Sequence, residues 1–558
     1  MSLNATINPD FGQVEADPVV LNLGVFETFF EERRPFFVEG SSVFRRPSPD
    51  IVSVDGPARL FHSRRIGRAP VRFPVPGELE EVSRPQSTTI LAAAKASGKT
   101  ASGASYAFLS ALTGNEYAQV RSPDDADSST DAFHVEPRTN YTVARVQQDV
   151  WDGSTVGGLF TAVNGRGFAP AYVGSVDGEL KWADNAYRVF TRATASRTGA
   201  VGERTGGYEA LGYFSKSSGS LGGQLYADAR SPGFDVNDLG FMSRAGRTQA
   251  VAHVYAQIRN PWALARASGF NINAWRQANY DGYTLDQGVN FNTWHNMKNY
   301  WWLNAGVSRS FPAYDDLVTR GGPVMRRLGG AWWWANVGSD DRKAVTASFG
   351  ASGVAKDGGH SHDARYWLNL RAKPAQNVQI EIGPSYRTET SFAQWVENID
   401  SNGDGVDDRF VFGELDSEVF DVNLRLNIAL TISLTVQGYI QSFVAAGEYG
   451  TFKEVTRPET YDFAPLDADI LSSDPDFTRR SLRGNVVVRY EYLPGSALFV
   501  VWSQSRSESL DIAEPTFRPL RGVADSFGDD GEHTFLVKLR DYLNHGVVTS
   551  SHAKHGSR

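Results

Sequence analysis

The sequence predicts an all-β chain, a large antiparallel transmembrane β-barrel of about 20 strands with an N-terminal plug-like segment. Three observations predict it. Aromatic residues reach 12% of the 558 residues although the mean hydropathy is only −0.35. Apolar and polar residues alternate in segments of roughly ten, separated by turn residues. The most apolar stretches, such as Ile90 to Ala94 and Leu498 to Trp502, fall far short of the roughly 20 residues that a membrane helix needs. A chain that is polar on average and rich in rings fits a sheet with one greasy face and one wet face.

Composition narrows the function classes. There are 54 Gly, 13 Trp, 21 Tyr and 33 Phe but no Cys, which removes disulfides, thiolate metal sites and a cysteine nucleophile. The formal charge of −9, from 55 basic and 64 acidic residues, gives no reason to expect a nucleic-acid partner. The expected partner is outer-membrane lipid. Met1 to Asp10 has neither a charged n-region nor an apolar h-region. An outer-membrane protein is exported, so the expectation is that its signal peptide is missing from this chain.

Residues 1–86 lack regular alternation and are rich in Phe, Pro, Arg and Glu. They are expected to form the plug, residues 87–543 the barrel, and residues 544–558 a polar tail. Within 87–543 the alternation is clearest in Val419–Leu430, where Phe420, Val422, Leu424, Leu426 and Ile428 oppose Asp421, Asn423, Arg425 and Asn427. The next segment sets Leu434, Val436 and Ile440 against Thr435, Gln437 and Gln441. Val486, Val488 and Tyr490 likewise oppose Asn485 and Arg489, and Tyr366, Leu368 and Leu370 oppose Arg365, Asn369 and Arg371. A period of two puts each set on its own face. Tight turns are expected at Ala96–Lys99, Asp152–Ser154 and Leu493–Gly495, and long loops at 121–140, 398–409 and 450–480. Tyr300–Trp302 and Trp332–Trp334 are expected in interfacial aromatic belts. A barrel of this size has a lumen too wide for side chains to fill, so the N-terminal segment is the candidate plug.

Several runs carry a family resemblance: Asn4 to Pro18 (NATINPDFGQVEADP), Phe26 to Phe30, Arg34 to Gly40 and Ser63 to Arg68. They resemble the signature of the domain of unknown function 5916 family. The likeness continues through Asp316–Pro323 and Gly495–Gln504. The resemblance implies an outer-membrane barrel, usually preceded by a family-9 carbohydrate-binding-like domain, and some members carry the loose label of membrane-associated hydrolase. It implies no established activity. The chain departs from the family pattern by starting inside the motif region and by continuing past Tyr542 and Leu543 to Arg558.

The motif residues expected in the plug or lumen are Asn8, Pro9, Asp10, Phe11, Gln13, Glu15, Asp17, Glu27, Arg34, Glu39, Arg64 and Arg65. Arginines interleaved with carboxylates keep the latter ionised, which suits charge-assisted cross-linking better than acid–base catalysis. The run Asp400-Ser401-Asn402-Gly403-Asp404-Gly405-Val406-Asp407-Asp408 matches the start of a calcium loop. Asp400, Asn402 and Asp404 offer side-chain oxygens, Val406 a carbonyl and Asp408 a last carboxylate for Ca2+. The Glu expected at position 12 is Val411, and an acidic hairpin tip explains the same residues. His360-Ser361-His362-Asp363 follows Asp357-Gly358-Gly359 and reads as an exposed turn. No catalytic triad, zinc helix or phosphate loop stands out. The expected function is transport or binding of bulky, saccharide-like solutes, the saccharide part resting on the companion domain alone. The alternatives are an outer-membrane enzyme, hydrolase-like, and a barrel that anchors a periplasmic domain.

Overall fold

A computed structural model describes residues 2–9, 17–44, 56–122, 130–151, 153–199, 205–510 and 517–540. One antiparallel path runs through the main sheet in chain order. Its first strands are β1 (Ser2–Ile7), β2 (Ile90–Lys99), β3 (Ala104–Thr113), β4 (Thr139–Asp149), β5 (Thr155–Gly165), β6 (Ala171–Trp182) and β7 (Tyr187–Thr198). There follow β8 (Thr205–Lys216), β9 (Leu221–Arg230), β10 (Arg247–Ile258), β11 (Ala265–Asn279), β12 (Thr284–Met297), β13 (Trp302–Ser310), β14 (Gly330–Gly338) and β15 (Val345–Lys356). The last are β16 (His362–Ala375), β17 (Val378–Ile399), β18 (Arg409–Ala429), β19 (Leu434–Val455), β20 (Phe477–Leu493), β21 (Ser496–Leu510) and β22 (Gly531–Arg540). Each strand pairs with the next, from β1 on β2 to β21 on β22. The short strand Phe463–Leu466 adds to β19 alone. Among the described residues no register joins β1 to β22, and no helix is long and apolar enough to cross a membrane.

The expected alternation is present, and its sense is inverted relative to a water-soluble sheet. On β6, Tyr172, Val176, Leu180 and Trp182 are exposed, whereas Ser175, Asp177 and Glu179 are buried. Cross-strand registers join apolar residues into rows on one face. Val378, Ile428, Val436, Val488, Val500 and Val537 form one such row over β17 to β22. Ile380 and Leu426, and Ile382 and Leu424, form further pairs beside it. The opposite face is polar, and the N-terminal segment lies on it.

The turns sort by rim. One rim carries tight connections such as 100–103, 183–186, 376–377 and 494–495. The other carries the long insertions 114–138, 231–246, 311–329, 400–408 and 456–476. Ser2 lies beside Ser97 and Arg540 beside Ala497, so β1 starts and β22 ends at the tight-turn rim. Ile7 lies beside Ala92, so the segment between β1 and β2 leaves and rejoins the sheet at the long-insertion rim.

Three expectations change. Ser2–Ile7 is a strand of the sheet, not part of the segment expected over 1–86. Ala96–Lys99 continues β2, and the turn falls at Thr100–Gly103, where Gly103 has a φ of 86°. Gly98 sits within the strand because the Tyr106 hydroxyl lies 2.6 Å from where a Cβ would stand. Trp302, Trp332 and Trp334 face the polar side, and only Trp333 of that triplet faces the apolar side. Adjacent residues of a strand cannot share one belt. The tail at 544–558 lies outside the described residues.

Candidate functional site

The site is built where the N-terminal segment meets the polar face. Its aromatic residues bury there: Phe37, Phe44, Leu60 and Ile66 pack with Ile90, Leu109, Val143, Leu159 and Val173 of β2 to β6. The 231–246 insertion closes over them with Phe234, Val236 and Leu239. Further up the chain, Val19, Leu21 and Leu23 pack on Leu415, Phe443 and Phe477 of β18 to β20. One short segment therefore touches strands far apart along the sheet. The Asp17 carbonyl accepts from Arg483 on β20 at 3.1 Å, and the Asp17 carboxylate pairs with Arg64, two residues from Ile66 beside Ile90. That path spans at most about 40 Å. Along the flat sheet, β20 and β2 would stand roughly 85 Å apart at the ~4.8 Å strand spacing. The sheet curls around the segment.

Charge pairs fix the segment to itself and to the wall. Arg65 grips Glu27 through two 2.8 Å bonds and donates to the Gly240 carbonyl at 3.0 Å. Arg34 holds Glu32 and donates to the Ile66 and Ser63 carbonyls at 2.8 and 2.7 Å. Burial alone would raise the Glu32 carboxyl, but the bonds and charge of Arg34, with the Ser63 hydroxyl, outweigh it and hold it below its ordinary value. Lys95 of β2 donates to the carbonyls of Phe36 and Glu39. His62 completes a cluster of three rings with Phe29 and Phe241, at 4.9 and 5.8 Å from them, the two phenylalanines being 5.0 Å apart. Burial, then the Arg65 charge, pushes its pKa down to about 4.

The wall answers with a ladder of ion pairs. Arg145 meets Asp177 at 2.7 Å, Arg192 and Arg230 share Glu209, and Arg230 and Arg247 share Asp228. The ladder binds the segment's backbone directly. Glu209 accepts from the Ala58 N–H at 3.1 Å, Arg192 donates to the Ala58 carbonyl at 2.9 Å and Arg230 to the Gly56 carbonyl at 2.5 Å. A cavity of about 350 Å³ lies between segment and wall, lined by Phe29, Glu32, Arg59, His62, Asp177, Phe190 and Arg192. Mixed charges and rings of this kind suit a polar organic solute better than a bare ion.

Of the motif residues, Asp17, Glu27, Arg34, Glu39, Arg64 and Arg65 are brought together here. Asn8 ends β1 in a left-handed conformation, φ 42°, and donates its N–H to the Leu91 carbonyl; Pro9 follows it. Asp10, Phe11, Gln13 and Glu15 lie outside the described residues. Sequence reasoning missed Arg192, Glu209, Arg230, Asp228 and Arg247. The available signal was charge recurring on one face of consecutive strands. At 400–408 the carboxylates turn onto the loop's own backbone. Asp400 accepts from the N–H groups of Gly403 and Gly405, Asn402 from Asp404, and Asp404 from Val406. Asp408 binds Ser401. Those backbone bonds, led by Gly405, hold Asp400 below the usual carboxylate range. Among the described residues no group of three or more His, Asp or Glu is arranged to hold a metal ion.

The fold and site define a class: a curled antiparallel sheet, greasy on one face and charged on the other, with its N-terminal segment clamped to the charged face. The chain belongs to the family described as a domain of unknown function (DUF5916), whose model matches residues 1–551. Among curated proteins none matches it.

Proposed function

We propose that the chain is a β-barrel of the bacterial outer membrane, closed by pairing β1 with β22 and capped at its long-insertion rim by residues 17–44 and 56–88. In this reading it binds or passes bulky polar solutes, saccharides among them. The observation that carries it is the inversion of faces, because buried ion pairs under an exposed apolar face suit lipid outside and water inside. The dimensions agree. On β17 the apolar face runs Val378, Ile380, Ile382, Pro384, Tyr386 and then turns polar at Thr388 and Thr390. That run is about nine residues, what a tilted strand needs to cross a bilayer. At its upper end the Tyr386 hydroxyl donates to Glu418 at 2.5 Å, an aromatic with its polar tip toward the rim. Tight turns at one rim and long insertions at the other follow the outer-membrane pattern.

The test is ion conductance in planar bilayers. Because Ile7 and Ala92 face each other, residues 9–88 can be replaced by a short Asn-Gly turn that keeps β1 paired with β2. The full chain should conduct weakly and the excised chain several-fold more. Equal conductance overturns the cap. A second reading, a barrel that anchors a periplasmic domain, is favoured by the density of bonds holding the segment, and it predicts that neither form passes solute.

A further inference from the structure

The polar face divides into two chemistries. The contacts of residues 17–44 and 56–88 described above fall on β2 to β9, on the 231–246 insertion and on β18 to β20, where the face is charged. Between them, the central stretches of β11 to β14 present indoles, amides, glycines and a serine, with Asp286 of β12 beyond them toward the long-insertion rim. From Gly269 to Trp275, Gly288 to Trp294, Asn304 to Ser308 and Trp332 to Asn336, no residue on this face is ionisable. We propose that this stretch, continued by Trp367 and Asn369 of β16, is a binding lane for a neutral oligosaccharide. The inference rests on reading this face as the one that meets solute, and it names the class of solute.

Two features carry it. The first is the posture of the indoles. Trp294 lies over Gly269, Trp275 over Gly288, Trp334 over Gly306, Trp302 over Gly338 and Trp367 over Gly350. In each case ring atoms come within 2.1–2.4 Å of where a Cβ would stand, so only glycine lets the ring lie across its neighbour strand. A ring held over a glycine lies close against the sheet. These five tryptophans are neither buried nor fully exposed. A pyranose presents a face of C–H groups of matching width, and such a face stacks on an indole without needing charge.

The second feature is the amides between the rings. Asn271 accepts from Asn273 and Asn292, and Asn290 accepts from the same two, forming a quartet across β11 and β12. Nδ1 of His253 on β10 meets the side-chain amide oxygen of Asn273 at 2.5 Å. Each amide carries two donors and a two-lone-pair acceptor, so the quartet keeps capacity for further partners. Adjacent donors and acceptors of that kind suit vicinal hydroxyls. The quartet lies between Trp294 and Trp275, about 20 Å apart along the strands. The motif repeats beyond it. Asn292 and Trp334 both lean over Gly306, and Asn336 and Trp367 both lean over Gly350. Ring and amide thus recur side by side, each offering a stacking surface beside a hydrogen-bonding group. Beside the lane the charged face resumes: a cavity of about 280 Å³ there is lined by Trp302 and Asn369 together with Asp341, Arg371, Glu381 and Arg425.

The full-length chain in detergent micelles, titrated calorimetrically with maltohexaose, cellohexaose and chitohexaose, tests the lane. Hexagalacturonate serves as the acidic control. At least one neutral hexasaccharide should bind saturably and more tightly than hexagalacturonate. Trp334→Ala should weaken it by about tenfold, and Asn292→Ala should weaken it as well. Trp333→Ala, the adjacent indole on the opposite face, should change it less than about twofold. Should Trp334→Ala fail to fold, Trp334→Phe keeps a ring and should lose less affinity than Asn292→Ala. No binding by any neutral hexasaccharide overturns the lane, as does equal loss from Trp333→Ala and Trp334→Ala. Binding in micelles is independent of conductance, so this proposal and the capped barrel fail separately.

Discussion

Single residues decide how firmly the segment is held. Glu209 has no exposed side-chain surface and serves two arginines and the Ala58 N–H at once. Glu209→Ala would leave Arg192 and Arg230 buried without their shared partner. Removing one member of a buried pair costs about 3–5 kcal/mol. Urea unfolding in micelles should read a loss of that order, and a loss under about 1 kcal/mol would show that water already reaches the ladder. Part of this was legible in the sequence. The interleaving of Arg34, Arg64 and Arg65 with Asp17, Glu27 and Glu39 points to charge-assisted cross-links. Which arginine meets which carboxylate was not, because Arg65 meets Glu27 38 residues away. The seating of the indoles over glycines was also hidden. Each depends on a glycine of the neighbouring strand, and strand register is a long-range property.

Elements were legible wherever one face is strictly apolar. The expected faces of Val419–Leu430 and of Val486 to Tyr490 are those observed, with Leu424 and Tyr490 exposed and Asn485 and Val487 buried. Turn chemistry was less decisive. Gly98 looks like a turn residue, yet it serves the packing of Tyr106 within β2. The strand at Ser2–Ile7 is not legible in the sequence, because it is short and stands alone before a long irregular segment. That strand supports the closure. Leu3, Ala5 and Ile7 lie on the apolar face through their pairing with Ala96, Ala94 and Ala92. Phe535, Val537 and Leu539 do so on β22 and are more than half exposed. Two such edges left open would template aggregation. An even number of antiparallel strands also leaves the two end strands antiparallel to each other. The chain has no native cysteine, so Asn4→Cys combined in turn with Thr534→Cys, Leu536→Cys and Lys538→Cys gives a clean scan. One pair should form an intramolecular disulfide, seen as a mobility shift on non-reducing gels. No disulfide in any pair would mean that the sheet stays open.

At the scale of the molecule, length and composition indicate a large two-faced sheet, while its curling follows from contacts that no local pattern encodes. The segment that the sheet wraps is the element with the least regular sequence, and its hold on the wall depends on protonation. His62 is pushed down to about 4 from its ordinary 6.5 by burial and by Arg65 and Arg59, with Glu32 and Glu27 opposing. Released from the wall, it takes up a proton near its ordinary value. Between pH 6.5 and 4 the released state therefore binds more protons than the docked state, so docking strengthens as pH rises through that window and weakens as it falls. Glu32, held below its ordinary value, acts in the same sense: its contribution is present above the ordinary carboxylate pKa and is lost as pH falls through the lowered one. Conductance of the full chain in planar bilayers should therefore rise as the bath is stepped from pH 7 to pH 4. His62→Gln places a neutral side chain beside Phe29 and Phe241 at every pH, so it should remove the part of the rise that begins near 6.5 and leave the more acidic part set by Glu32. A profile unchanged by His62→Gln would show that the imidazole is not what couples the segment to pH.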